Sequence, residues 1–554
     1  MTRRRWARLI SGTAAILTVL IVGVALAAPG ERSAGALAPA GAGRPAGGQP
    51  APSSQEGFRP VVVLPERMDL SPELRSILPI PPQQGTLAPE NPGFSLRQGG
   101  SVDPEGVAAI LQNWHGPISM PSPIQNWEGV NNLNGVLPPD TEGDVGPNHY
   151  IQWVNLSFAI YDKTGNLLYG PVNGNTLWSG FGGPCQNYNS GDPIVVYDQL
   201  ADRWLMSQFA LPSAPYYQCI AVSQTSDPLG AWHRYAYAWP GNKMNDYPKF
   251  GVWPDGYYMT ANQFNPNWAG AGVAAFERAK MLQGQPAQMI YFDLYGVNPN
   301  YGGMLPSDWD GNTPPPDGAP NYFVEWDDSS WIPPNDAVRL WEFHVDWVTP
   351  ANSTFGIGGN PNQVIETANV DPNMCNYNRN CIPQPGTTRK LDAISDRVMY
   401  QLQYRNFGCY EAMVTNHTVD ANGSDRAGIH WFELRRSGGT WSLYQQGLYS
   451  PDSVNRWMGS IAMDAQGNIA LGYSVSDASS VYPGMRYAGR LASDPLGTLP
   501  QAEVVMQAGS GYQSSTSSRW GDYSMMSVDP ADDCTFWSVS YTHLRAHETP
   551  EHLV

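Results

Sequence analysis

Asp192-Pro-Ile-Val-Val-Tyr-Asp198, followed by Arg203-Trp-Leu-Met-Ser-Gln-Phe209, decides the fold. It reads as a strand, an Asp-bearing turn and a second strand. The pattern recurs. Tyr247-Pro-Lys-Phe-Gly-Val-Trp-Pro-Asp255 precedes Gly256-Tyr-Tyr-Met-Thr-Ala-Asn262. Arg456-Trp-Met-Gly-Ser-Ile-Ala-Met-Asp464 precedes Gly467-Asn-Ile-Ala-Leu-Gly-Tyr473. Arg519-Trp-Gly-Asp-Tyr-Ser-Met-Met-Ser-Val-Asp529 precedes Cys534-Thr-Phe-Trp537. The turn Asp has a physical reason to be there, because its carboxylate accepts backbone N–H bonds within the turn.

Spacing extends the pattern into a repeat. Asp198 and Asp255 stand 57 positions apart, and Asp464 and Asp529 stand 65 apart. Residues 149–172, 306–328 and 397–417 fit three more units with looser turns. The stretch from 131 to 539 thus holds about seven four-stranded units, the signature of an all-β, seven-bladed β-propeller. A pair of β-sandwiches is the alternative, but it leaves the recurring Asp turn unexplained. Short helices are expected near residues 104–112 and 276–283.

Composition agrees. Gly (57) and Pro (50) make up about a fifth of the 554 residues, and aromatics reach 11%. Such a chain suits short strands and turns and disfavours helices. Charged residues are only 14%, and the net charge is −18. That balance speaks against nucleic acid and anionic lipid, which need clustered Lys and Arg.

Around the repeat, the ends differ in texture. Arg3, Arg4, Arg5 and Arg8 precede an apolar run and Ala25-Leu26-Ala27, the pattern of a signal peptide spanning residues 1–27. An uncleaved membrane anchor is the alternative. Residues 28–57 form an Ala/Gly/Pro-rich spacer, with 19 of residues 28–52 being one of those three. Residues 58–130 read as a Pro-rich extended arm. Residues 540–554, with His543, His547 and His552, break the β pattern and read as a non-native tail, which leaves the last blade truncated. A secreted or surface-displayed monomer is expected. In an exported chain, Cys375 with Cys381 and Cys185 with Cys219 are expected to form disulfides. Pairing of Cys409 with Cys534 is a weaker expectation.

Pro138-Pro-Asp-Thr-Glu-Gly-Asp-Val-Gly-Pro147, Tyr247-Pro-Lys-Phe-Gly-Val-Trp-Pro-Asp-Gly-Tyr257 and Asn416-His-Thr-Val-Asp420 resemble secreted bacterial β-propellers of the sialidase-like superfamily. The resemblance implies a channel where three Arg bind a sugar carboxylate and a Tyr is activated by a Glu. The candidates are Arg397, Arg456 and Arg519 with Glu411, and His417 as a further acid or base. Against that reading, each Arg can pair with a turn Asp or stack on Trp457 or Trp520, and the chain lacks the Ser-x-Asp-x-Gly-x-x-Trp string of sialidases.

Asp140, Glu142 and Asp144 alternate, as carboxylates wrapping Ca²⁺ do. Calcium is therefore the cofactor to look for, although bland turn chemistry explains the string as well. Trp178, Trp268 and Trp309 are the expected sugar-stacking platforms. Ligand contacts are expected on three inserts, residues 180–190, 300–321 and 351–389. No complete catalytic set is legible. The expectation is an extracellular module that binds a glycan or protein; the alternative is a glycan-processing enzyme using the central channel.

Overall fold

A computed structural model describes residues 58–83, 100, 103–541 and 551–553. The expected signal segment and spacer lie outside the described residues. No helix among the described residues is long and apolar enough to cross a membrane.

The protein is an all-β propeller. Among the described residues, antiparallel four-stranded meanders follow one another along the chain. Their first strands are β1 (Thr141–Val145), β2 (Ile194–Asp198), β3 (Met244–Val252), β4 (Leu305–Trp309), β5 (Met399–Asn406), β6 (Asn455–Met463) and β7 (Met525–Val528). Each lies against the next, and β7 packs back onto β1. These strands are almost wholly buried, with polar and apolar residues alike facing inward.

Neighbouring first strands diverge, so side chains often replace ladder bonds for the buried N–H groups. Asp144 accepts from the Tyr197 amide at 2.7 Å and Asp308 from the Val252 amide at 2.7 Å. Gln403 accepts from the Met463 amide at 2.6 Å, and the Ser460 hydroxyl from the Met526 amide at 2.8 Å. Only β4 and β5 hydrogen-bond directly among these pairs, in parallel, Ser307 facing Leu402.

The Asp turns behave largely as expected. Asp464 accepts from the amides of Gln466 and Asn468 at 2.8 and 2.9 Å, and Asp529 from Ala531 at 2.9 Å. Asp198 accepts from the Ala201 amide at 3.1 Å and also holds Arg278 at 2.6 and 2.8 Å. Asp255 instead receives the Tyr258 hydroxyl at 2.9 Å.

Two boundaries differ from the sequence reading. The front meander begins at Thr141 rather than residue 149, because the carboxylate string read as a loop is itself β1, paired with His149–Val154. The last meander also has outer strands, which the truncation reading had removed. Glu551–Leu553 pairs with Phe536–Tyr541, and Trp127–Glu128 of the arm pairs with Glu551–Leu553. Residues 542–550 and 554 of the tail lie outside the described residues.

The arm is a strap of edge strands. Val61–Val63 adds to the third meander and Arg67–Leu70 to the second, both antiparallel. Leu111–Gln112 and Ile118–Ser119 add in parallel to the fifth and sixth. Five otherwise open edges are thereby paired, which removes templates for aggregation. Phe58 stacks on Phe292 at 5.0 Å, and Arg234, 1% exposed, is held by Asp69 at 2.6 and 2.8 Å. Within the arm, Asp103 caps the helix Pro104–Ile110 by accepting from the amides of Glu105 and Gly106.

Candidate active-site cavity

The segments entering the first strands converge on a cavity of about 740 Å³. Asp140 immediately precedes β1, and Asp192 lies two residues before β2. Asp246 and Tyr247 lie inside β3, where the ladder shifts register between Asp246 and Lys249. That bulge turns consecutive side chains toward different partners. Asp392, Asp396 and Arg397 come from the segment before β5, and Arg519 and Tyr523 from the segment before β7. The former segment is tied to the latter by the Asp392 amide on the Ser518 carbonyl at 2.8 Å.

Backbone strain gathers here too. Asp140, Asp192, Tyr247, Tyr377 and Ile394 all line the cavity and all have positive φ, between 41° and 55°. Such conformations cost about 1 to 3 kcal/mol each and cluster at functional sites.

Acids dominate one wall. Asp192 accepts from the Tyr247 amide at 3.0 Å, which brings its carboxyl beside that of Asp246. Burial pushes Asp192 up to about 7, with the Asp246 charge adding to the effect. Burial raises Asp246 as well, opposed by Arg397 and Arg519. Asp140 is held well above the usual carboxylate range by burial, then by Asp192 and Asp522. Asp392 reaches about 6 through burial, restrained by Arg519. Burial thus makes each of these acids harder to ionise than a free carboxyl.

The cations are committed within the chain. Arg397 grips Asp396 through two bonds of 2.9 and 3.1 Å and lies over the Tyr247 ring at 4.9 Å. Arg519 binds Asp522, its Nε at 2.8 Å. Lys249 bonds Glu142 at 2.7 Å and faces the rings of Tyr523, Tyr247 and Tyr400 at 4.5, 5.0 and 5.1 Å.

Of the sequence candidates, Arg397 and Arg519 line the cavity. Arg456, Glu411 and His417 do not. Arg456 is fully buried between Asp452 at 2.8 Å and Glu503 at 2.9 Å. Glu411 receives two 2.7 Å bonds from Arg436 and one from the Tyr404 hydroxyl. It pairs with Asn406 at the far end of β5. The strand rise of about 3.3 Å per residue puts that position roughly 25 to 30 Å from Arg397. His417 is buried in the fifth meander, stacked on Phe432 and bonded to His430 at 3.1 Å.

Nor do Asp140, Glu142 and Asp144 gather as a calcium loop would. Being alternate residues of a strand, they spread along it. Asn155 donates to Asp140, Lys249 to Glu142, and the Val145 and Tyr197 amides to Asp144. Trp178 is fully buried and Trp309 is 3% exposed, so both are core rather than platforms. Trp268 is half-buried, with its indole N–H on the Pro299 carbonyl at 2.7 Å. Cys185–Cys219 and Cys375–Cys381 are disulfides, while Cys409 and Cys534 are free and exposed. Two of the three expected inserts reach the cavity, through residues 187–190 and 374–379; residues 300–321 do not.

Of the acids of the wall, the sequence reading singled out Asp140 alone, and as a calcium ligand. Asp192 and Asp246 stand at strand entries, where Asp is ordinary turn chemistry. The one signal was positional, an Asp at the entry of each of the first three meanders.

No protein-family model matches the chain, and no curated protein does. Solved structures share a likeness at low identity. An α-L-arabinanase from Penicillium chrysogenum complexed with arabinobiose is 11% identical, covering 68% of this chain and 100% of its own, at a TM-score of 0.34. An exo-1,5-α-L-arabinanase from a bovine ruminal metagenomic library is 8% identical, covering 78% and 94%, at 0.27. The catalytic domain of a Coprinopsis cinerea GH62 α-L-arabinofuranosidase is 9% identical, covering 56% and 90%, at 0.25. Nothing in these comparisons places the chain in the sialidase-like superfamily; the propeller rests on the strand order described above.

Proposed function

We propose that the protein is a glycan-processing enzyme, a glycoside hydrolase acting in the acid-lined cavity of one seven-bladed ring. The observation that carries this reading is the neighbouring pair of buried carboxyls, Asp192 and Asp246, facing a cavity large enough for sugar units. Glycoside hydrolysis needs one carboxyl that keeps its proton and another that is ionised. The Asp192–Asp246 pair fills the first role and protonates the leaving glycosidic oxygen. Asp392 fills the second. It takes a proton from water as the water oxygen bonds to the anomeric carbon and the old C–O bond breaks. Arg519, within electrostatic reach of both groups, restrains their pKa values.

The inserts expected to bind ligand then serve substrate recognition. The staple Cys375–Cys381 stiffens the wall at Met374 and Tyr377 and lowers the ordering cost of binding. Two disulfides suit an oxidising, extracytoplasmic location.

The test is reducing-end release from a panel of neutral, amino and acidic polysaccharides. Turnover by the native protein, reduced at least about 100-fold by Asp392→Asn with the fold intact, supports the reading. Binding without turnover of any glycan returns the protein to the class of binding modules.

A further inference from the structure

The cavity's charges are distributed unevenly, and that bears on what it admits. Each of its three arginines is answered by a carboxylate of the chain: Arg397 by Asp396, Arg519 by Asp522, and Arg379 by Asp392 at 3.6 Å. A sugar carboxylate arriving there would have to displace an existing partner. Among the described residues, Asp140, Asp192 and Asp246 form no ion pair. Lys249, which with Arg519 lowers the pKa of Asp140 and Asp192, is bonded to Glu142.

The same wall holds a further acceptor. Asn155 is 5% exposed, its amide N–H groups go to the Pro138 carbonyl and Asp140, and its Oδ1 has no donor. Phe209, Leu211 and Tyr216 add an apolar bed beside these groups. The wall therefore presents carboxyls that hold no ion pair of their own, the nearby cations Lys249, Arg397 and Arg519 each being committed to another carboxylate. Its complement is a compact group with several N–H donors and a positive charge, carried on a ring with an apolar face.

We infer that the Asp140–Asp192–Asp246 wall receives the protonated amine of an amino sugar, and that the cavity refuses uronic and sialic acids. This rests on the glycan-processing reading but is separable from it. Burial raises these carboxyls because ionising them with no partner at hand is costly. An incoming ammonium removes that cost, and it does so only when the ligand is cationic.

Calorimetric titration of the full chain tests the inference independently of turnover. The probes are a glucosamine tetramer, its N-acetylated counterpart and a galacturonate tetramer, at a pH where the amine is charged. The glucosamine tetramer should bind at least about tenfold more tightly than the acetylated one, about 1.4 kcal/mol, and the galacturonate tetramer should not bind. Asp192→Asn and Asp140→Asn should each remove most of the preference. Raising salt on the native protein should shrink the preference without any substitution, which covers the case of a variant that fails to fold. Equal binding of the first two probes, a preference for the acidic one, or no binding by any overturns the inference. Tight binding of the glucosamine tetramer without cleavage of any glycan sustains it and refutes the hydrolase reading instead. Cleavage of neutral glycans without amine preference does the reverse.

Discussion

Lys249 of β3 reaches Glu142 of β1 at 2.7 Å, past the intervening β2, and both side chains are almost fully buried. The ammonium also faces Tyr400 of β5 and Tyr523 before β7. One cation thus ties together four of the segments that ring the channel. Its positive charge, together with that of Arg519, keeps Asp140 and Asp192 from being still harder to ionise.

Breaking this link should be costly. Lys249→Met leaves Glu142 buried and unpaired, which destabilises by about 3 to 5 kcal/mol. Adding Glu142→Gln should recover much of the loss, since the uncompensated charge is then gone. Guanidinium unfolding of the three variants checks this. Equal stability of Lys249→Met and the native protein would contradict it.

Stability should fall as pH rises from about 4 to about 8. Burial raises Glu142 and Asp192 to about 7, and burial together with Asp310 raises Asp144 to about 8. In that window the native state binds more protons than the unfolded chain, so the unfolding free energy decreases with pH. Asp144→Asn removes one contributor and should flatten the slope. Chemical denaturation across the window measures both, and a slope of the opposite sign in the native protein would be contrary.

The two disulfides should separate stability from binding. Cys185–Cys219 closes a span of 34 residues, so its removal by Cys→Ala substitution at both positions should cost about 3 to 4 kcal/mol. Cys375–Cys381 spans only 6 and should cost about 2 kcal/mol, but it carries part of the cavity wall. Its loss should weaken ligand binding severalfold, as read by calorimetry, and by more relative to the stability lost than removal of the first, which anchors residues 187–190 of the other insert.

The arm should prove part of the folded unit. Asp69→Ala strands Arg234, leaving its guanidinium the carbonyls of Leu177 and Ser179. Asp69 is partly exposed, so we expect a loss of about 1 to 3 kcal/mol. Limited proteolysis should cut the arm earlier than in the native protein. An unchanged cleavage pattern would mean that the strap is held without this pair.

What the sequence shows plainly is what repeats locally. The Asp464 turn satisfies amides two and four residues on, so strand–turn–strand units can be read directly. The same holds for the short-range staple of Cys375 and Cys381. What it hides is where the strands point. Asp140, Glu142 and Asp144 look like a loop because Gly and Pro surround them, yet burial between two neighbours makes them a strand. Arg456 and Arg519 occupy equivalent places in the repeat, but β6 begins at Asn455, whereas Arg519 lies in a non-strand segment six residues before β7. The first is therefore locked against Glu503 and the second reaches the cavity. Asp192 and Asp246 meet only because β2 and β3 lie side by side, which no local pattern announces.

The central claim is that the cavity cleaves glycosidic bonds with Asp392 as base and the Asp192–Asp246 pair as acid. The most direct measurement is kcat for the native protein, Asp392→Asn and Asp246→Asn on the best glycan of the panel, followed across pH. The account predicts that Asp392→Asn loses at least about 100-fold with little change in KM. It also predicts that Asp246→Asn moves the alkaline limb to lower pH, because Asp192 loses the neighbouring charge that helps it keep its proton. Unchanged kcat in Asp392→Asn, with the alkaline limb unmoved in Asp246→Asn, would contradict it.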